Sequence, residues 1–250
     1  MDNYSKILKS FSLQEELNTK IWKKEDGKVV MRPKVREKLL EIAYEFMVFL
    51  SDDVFVTDII MTGSLANYNW SEYSDIDLHI IIDYSQFTED QEEVVKELFK
   101  LKKTLFNSTH DIRVYNYEVE LYAQSSAEVH FSTGVYSVLY DEWDILPKKE
   151  PMEIDQKVLI SKAENWMEKI DELIENSEDE ELDLVLKEVD KLKTKLKEYR
   201  SIGLEEKGEY SYENLVFKFL RRSGYIQKLF DFENGILDKR LSLTDSRKIQ

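Results

Sequence analysis

The sequence predicts an α+β head followed by a helical C-terminal domain. Three observations carry that reading. Between Val54 and Gln124, stretches rich in β-branched residues alternate with stretches of helical periodicity. A charged connector bracketed by Pro147 and Pro151 closes this region. Beyond it, apolar residues recur only at helical spacing. The expected domains are therefore residues 1–150 and 151–250.

Taken in order, residues 1–33 mix short amphipathic pieces with a turn at Glu25-Asp26-Gly27, and Pro33 suits the first turn of a helix. From Lys34 to Leu50 the apolar positions Val35, Leu39, Leu40, Ile42, Ala43, Phe46, Met47 and Leu50 recur at helical spacing. Val54 to Met61 and Ile76 to Ile82 read as strands. Gln86 to Phe106 reads as a helix, acidic at its start and basic near its end, as the helix dipole favours. Asp111 to Gln124 alternates and reads as one long strand or two pieces, and Phe131 to Tyr140 as a further β-rich stretch. In the tail, Gln156 to Ile174 and Glu181 to Tyr199 are amphipathic, and a third helix is expected over Tyr212 to Asp231. The 181–199 run is too short for a coiled coil and reads as a bundle helix with a solvated face.

Composition removes several function classes. No apolar run approaches the roughly 20 residues of a membrane span. The start lacks a long apolar segment, which argues against a signal peptide. There is no cysteine, so disulfides, thiolate metal sites and a thiol nucleophile are excluded. A reducing, cytoplasmic setting is the expectation. The net charge is −16, with 17 basic and 28 acidic residues up to position 150 and 18 and 23 after it. Neither part is a basic platform for nonspecific nucleic-acid binding.

The chemistry concentrates at residues 61–84. Side chains two apart on a strand share a face, so Asp75 and Asp77 project together while Ile76 and Leu78 face the other way. Paired carboxylates repel unless a cation lies between them, and hard oxygen ligands suit Mg²⁺ or Mn²⁺. Gly63 is the only glycine between Gly27 and Gly134. It stands at a strand end directly before Ser64, where a tight turn lets backbone approach a phosphate. A later strand carries Glu118 and Glu120 on a common face. Glu120 is chosen as the third carboxylate because Val119 and Leu121 flank it, as Ile76 and Leu78 flank Asp77. The plain alternative for the aspartates is a polar strand entry at a sheet edge, and for Glu120 a solvated edge residue.

Gly63-Ser64, ten residues, Asp75-Ile76-Asp77-Leu78 and a later acidic strand together resemble the nucleotidyltransferase superfamily related to DNA polymerase β, over roughly residues 34–125. The resemblance implies a mixed sheet flanked by helices and a nucleoside triphosphate substrate, ATP included. It implies that Gly63 and Ser64 hold the phosphates, that Asp75 and Asp77 hold both metals, and that Glu120 binds the metal that activates the attacking hydroxyl. Family members commonly carry Asp at the third position, where this chain has Glu. The acceptor class is left open: a small molecule, a protein side chain or an RNA end.

Other residues carry two readings each. His79 shares the face of Asp77 and either lines the site or is satisfied in a polar cleft. His110 and His130 lack metal-ligand spacing and read as structural or surface residues. Ser132, Thr133, Gly134 and Tyr136 either approach the nucleotide or form a turn into a buried strand. Asn67 to Trp70 either stack on a base or pack the loop. Lys218, Arg221 and Arg222 fall within about one helical turn and form either a phosphate grip or a solvated face. The leading function is metal-dependent transfer of a nucleoside monophosphate to a hydroxyl with release of pyrophosphate. The alternatives are a binding or antitoxin-like regulatory module with little turnover, and metal-dependent phosphate-ester hydrolysis.

Overall fold

The computed structural model describes residues 4–51, 54–128, 132–149, 153–177 and 180–242. The chain divides into two compact units, residues 9–151 and residues 1–8 with 152–250.

The head is built on a six-stranded mixed sheet. Its strands are β3 (Val56–Thr62), β4 (Ile76–Ile82), β5 (Arg113–Val114), β6 (Tyr117–Ser125), β7 (Val135–Ser137) and β8 (Glu142–Ile145), in the order β5-β6-β4-β3-β7-β8. β4 and β6 run parallel and the other pairs antiparallel. A parallel neighbour needs a long crossover, and α3 (Glu89–Thr109) provides it between β4 and β6. α3 starts at Thr88, whose N–H donates to Gln91 Oε1 at 3.1 Å, and its first turn is acidic. α2 (Pro33–Leu50) starts on Pro33. β1 (Trp22–Glu25) and β2 (Lys28–Met31) form a hairpin around the Asp26-Gly27 turn.

The alternation read in β4 sets the layers. Ile76, Leu78, Ile80 and Ile82 are buried in one core with Leu39, Phe46 and Leu50 of α2 and Phe99 and Phe106 of α3. Asp75, Asp77, His79 and Ile81 therefore belong to the opposite face. At the far side of that face, Ile60, Ile81 and Val135 form a small apolar cluster.

The 111–124 stretch resolves into β5 and β6, separated by a turn with Tyr115 at φ 55°. The hairpin strands and β8 carry little periodicity over four residues each, and the sequence reading missed them.

The second unit holds α1 (Ser5–Lys9), α4 (Gln156–Asn176), α5 (Leu182–Lys207), α6 (Tyr212–Arg222) and α7 (Tyr225–Leu241). Ile170, Val185, Val189, Leu229 and Ile236 make one of its cores. The single helix expected over 212–231 is two, because Gly224 adopts φ 83° and breaks the ladder between Arg222 and Tyr225.

Candidate active site

The site is assembled at one end of the exposed sheet face. β3 ends at Thr62, which lies opposite Asp77 of β4. Gly63 follows at φ 76°, a conformation in which a side chain is strained. A Cβ there would lie 1.8 Å from Asp77 Oδ2, so the aspartate carboxylate occupies space that only glycine leaves open. A 3₁₀ turn over Ser64–Ala66 comes next. Asn67, buried, donates through Nδ2 to Gly63 O at 2.8 Å and accepts from Thr133 Oγ1 at 2.8 Å, which ties the turn to residues 132–134.

The ten-residue loop closes on itself. Ser64 Oγ donates to Ser74 Oγ at 2.7 Å, directly before Asp75. Ser71 N also donates to Ser74 Oγ, at 2.9 Å. Trp70 Nε1 donates to Glu16 O at 2.9 Å and Tyr68 O accepts from Gln14 N at 2.7 Å. These aromatics therefore pack the loop against residues 14–16. Tyr136 is fully buried between Trp22 and Trp143, with ring centroids 5.0 Å from each, and belongs to the core. Part of the segment before it, His130 included, lies outside the described residues.

The parallel pairing of β4 and β6 aligns Asp77 with Glu120 and His79 with Tyr122. Adjacent strands lie about 4.8 Å apart, so Glu120 stands beside Asp77 on the same face. Glu120 is half-buried. Glu118, one step nearer the strand start, is exposed and faces Arg113 Nη2 at 3.7 Å. The structure thus brings Gly63, Ser64, Asp75, Asp77 and Glu120 to one end of one face.

Two residues that the sequence reading did not single out join them. The Tyr122 hydroxyl donates to Glu120 Oε2. Its ring stacks on His79 at 4.6 Å and 13°, and Lys103 Nζ lies over it, 4.1 Å from the centroid. Burial raises the Tyr122 pKa above its ordinary value, and the charges of Asp77, Glu120 and Asp75 raise it further. The phenol therefore stays protonated and keeps its hydrogen bond to donate. His79 Nε2 lies 3.1 Å from Thr62 Oγ1, so this imidazole is engaged inside the strand layer. Tyr122 was legible in principle, two residues past Glu120 as His79 is two past Asp77. Lys103 comes from α3, and nothing in the sequence ties it to β6.

Lys218, Arg221 and Arg222 gather on α6 of the helical unit, and α5 adds Arg200. Arg200 Nε donates to Asn214 Oδ1 at 3.1 Å, and its guanidinium lies 4.4 Å from the Phe217 ring. Burial lowers the Lys218 pKa; the neighbouring Glu209 opposes this, while Arg222, Arg221 and Arg200 lower it further. Among the described residues, Lys218 forms no hydrogen bond or ion pair within the protein. A half-buried ammonium among three guanidinium groups is chemistry suited to an anion.

The donor set at the sheet end consists of oxygen groups only, which fits Mg²⁺ or Mn²⁺. Among the described residues, no three acidic or imidazole groups form a ready-made metal cage. Mg²⁺ ordinarily takes one or two carboxylates and completes its shell with water and substrate phosphates, so the Asp75–Asp77 pair suffices to begin a site.

A mixed sheet with a Gly-Ser turn and an Asp-x-Asp pair at one end is the nucleotidyltransferase fold. The model of the nucleotidyltransferase domain family matches residues 40–211, and the chain belongs to that family. The match runs well past the 34–125 stretch over which the sequence showed its resemblance, through α4 and α5 of the helical unit to Ser211. Comparison with curated proteins and with solved structures returned no match.

Proposed function

We propose that the protein is a metal-dependent nucleotidyltransferase that moves a nucleoside monophosphate from a nucleoside triphosphate to a hydroxyl and releases pyrophosphate. One observation carries this reading: Asp77 lies over the side-chain-less Gly63 and aligned with Glu120, so the Gly-Ser turn and the carboxylates share one locus.

The roles follow from placement. The turn at Gly63 and Ser64 would receive the β- and γ-phosphates through backbone amides and a hydroxyl. Asp75 and Asp77 would hold Mg²⁺ or Mn²⁺, with Glu120 the third carboxylate. Bound there, the metal ions would lower the pKa of the acceptor hydroxyl and neutralise charge on the phosphates. The acceptor hydroxyl would lose its proton to solvent, and its oxygen would form a bond to the α-phosphorus as the bond from that phosphorus to the β-bridging oxygen breaks. Pyrophosphate carries away the electron pair. Tyr122, hydrogen-bonded to Glu120, would keep that carboxylate oriented. The anion-suited cluster of Lys218, Arg221 and Arg222 supports a phosphate-gripping role for the helical unit.

A second reading, a binding or antitoxin-like regulatory module with little turnover, draws on Glu120 being engaged by the Tyr122 hydroxyl. The two are separated by measuring pyrophosphate release from each of the four ribonucleoside triphosphates with Mg²⁺. The protein is assayed alone, with cellular RNA and with protein extract, and Asp77→Ala serves as control. Release that requires Asp77 establishes the transferase, and the addition it depends on names the acceptor class. Triphosphate binding without release in any mixture favours the regulatory module.

A further inference from the structure

α3 is fastened to the edge of the sheet beside the carboxylates. β5 pairs with β6 only through Arg113 and Val114, opposite Glu118 and Tyr117. Among the described residues no strand pairs with Leu121 on the outer edge of β6. Asn107 of α3 takes that place: its Oδ1 accepts from Leu121 N at 3.1 Å, and its Nδ2 donates to Leu121 O at 3.0 Å. A side-chain amide offers the same donor and acceptor as a strand partner. Lys103 lies four residues earlier on α3, and so on the same side of the helix. Its ammonium is thereby set over Tyr122, the residue after Leu121.

The Tyr122 ring is consequently held on both faces. His79 stacks on it with centroids 4.6 Å apart, and Lys103 Nζ lies 4.1 Å from its centroid. Two groups that close to one ring cannot share a face. The other lysines of α3 are engaged elsewhere: Lys96 with Glu92 at 2.6 Å, Lys100 with Glu97 at 3.4 Å, and Lys102 with the carbonyls of Phe49 and Leu50. Among the described residues, half-buried Lys103 makes no hydrogen bond or ion pair, and the ring is its partner. A cation on the face of a phenol draws on the ring electrons and strengthens the hydroxyl as a donor. That hydroxyl donates to Glu120 Oε2. Among the described residues Glu120 Oε1 has no hydrogen-bond partner, so one oxygen of a fixed carboxylate is left for a cation.

We propose that Lys103 is a positioning residue for the metal site: it clamps Tyr122 against His79 and so fixes the Glu120 carboxylate beside Asp77 for a divalent cation. The inference rests on the reading of Asp75, Asp77 and Glu120 as metal-binding carboxylates. A row of contacts carries the effect across three strands and a helix. It starts at Thr62, directly before Gly63, and passes through His79 and Tyr122 to Lys103. Plain electrostatics predicts the opposite result of removing Lys103. A cation near carboxylates repels a metal ion, so deleting it would tighten metal binding. Deleting a clamp loosens it.

The test is Mn²⁺ binding to the full chain without nucleotide, followed by electron paramagnetic resonance well below the thermal midpoint of each variant. Lys103→Ala should raise the Mn²⁺ dissociation constant about two- to fivefold, the worth of one cation–π contact at a part-exposed site. Lys103→Arg should restore the wild-type value, because a guanidinium also stacks on an aromatic face. In Tyr122→Phe the clamp no longer reaches Glu120, so adding Lys103→Ala should raise the constant no further. A constant lowered or unchanged by Lys103→Ala overturns the proposal. So does an equal rise with and without the Tyr122 hydroxyl. Binding lost in Asp77→Ala but intact in Lys103→Ala would keep the metal reading and reject the clamp. A wild type that binds no Mn²⁺ overturns both.

Discussion

At position 63 a hydrogen atom stands where any other residue would place a carbon, and Asp77 uses the space. Gly63→Ala meets both a left-handed backbone and a 1.8 Å overlap with Asp77 Oδ2. It is expected to destabilise the head by about 1–3 kcal/mol, as strain at a special backbone position does, and to displace the carboxylate. Pyrophosphate release should fall more than about 100-fold, and thermal unfolding should separate the stability loss from the catalytic one. Tyr122 offers a milder change. Tyr122→Phe retains the stack on His79 and removes only the hydroxyl that donates to Glu120. Stability should change by no more than about 1.5 kcal/mol. The Mg²⁺ concentration for half-maximal activity should rise, as should the Mn²⁺ dissociation constant measured by electron paramagnetic resonance without nucleotide. An unchanged metal dependence in both would remove Tyr122 from any positioning role.

Among the elements, α5 and α6 approach each other closely enough that glycine is needed between them. A Cβ on Gly203 would lie 2.4 Å from Glu213 Cβ and 2.7 Å from Ser211 Oγ. Replacing glycine by alanine in a helix ordinarily gains about 1 kcal/mol. Here the overlap reverses the sign, and Gly203→Ala should lower the thermal midpoint. α6 also carries Lys218, whose pKa lies below the ordinary 10.5, chiefly through burial. Between the lowered value and 10.5 the unfolded chain binds more protons at this position than the folded one. The contribution of Lys218 to stability therefore improves as pH rises through that window. Lys218→Met should flatten this slope and raise the thermal midpoint at neutral pH. It should also abolish the stabilisation that tripolyphosphate is expected to give the wild type. Glu209, Arg200, Arg221 and Arg222 remain in the variant, so a midpoint equally raised by tripolyphosphate would free Lys218 of any phosphate role.

For the molecule as a whole, the net charge of −16 dominates interactions at a distance. Neither half of the sequence carries a net positive charge. The protein should pass through heparin at about 0.15 M salt, where the screening length is about 8 Å. Retention there would reopen a long nucleic-acid acceptor. Among the described residues no helix is long and apolar enough to cross a membrane.

Much of the fold was written locally. The alternation in the first half of β4, the 3.6-residue periodicity of α2 and α4, and the composition change after Pro147 each report a burial pattern set by neighbours in the chain. The spacing from Gly63 to Asp77 was legible for the same reason, since a turn and a two-residue strand repeat are short-range geometry. The pairing of Asp77 with Glu120 was not legible in local pattern and came only through the family resemblance, because β4 and β6 are neighbours only through a crossover helix. Neither the approach of Lys103 to Tyr122 nor the addition of Arg200 to the α6 cluster was legible. Sequence alone determined which residues share a face. Tertiary structure decided which faces meet, because contacts between distant segments depend on how whole elements pack and leave no periodic trace in either segment.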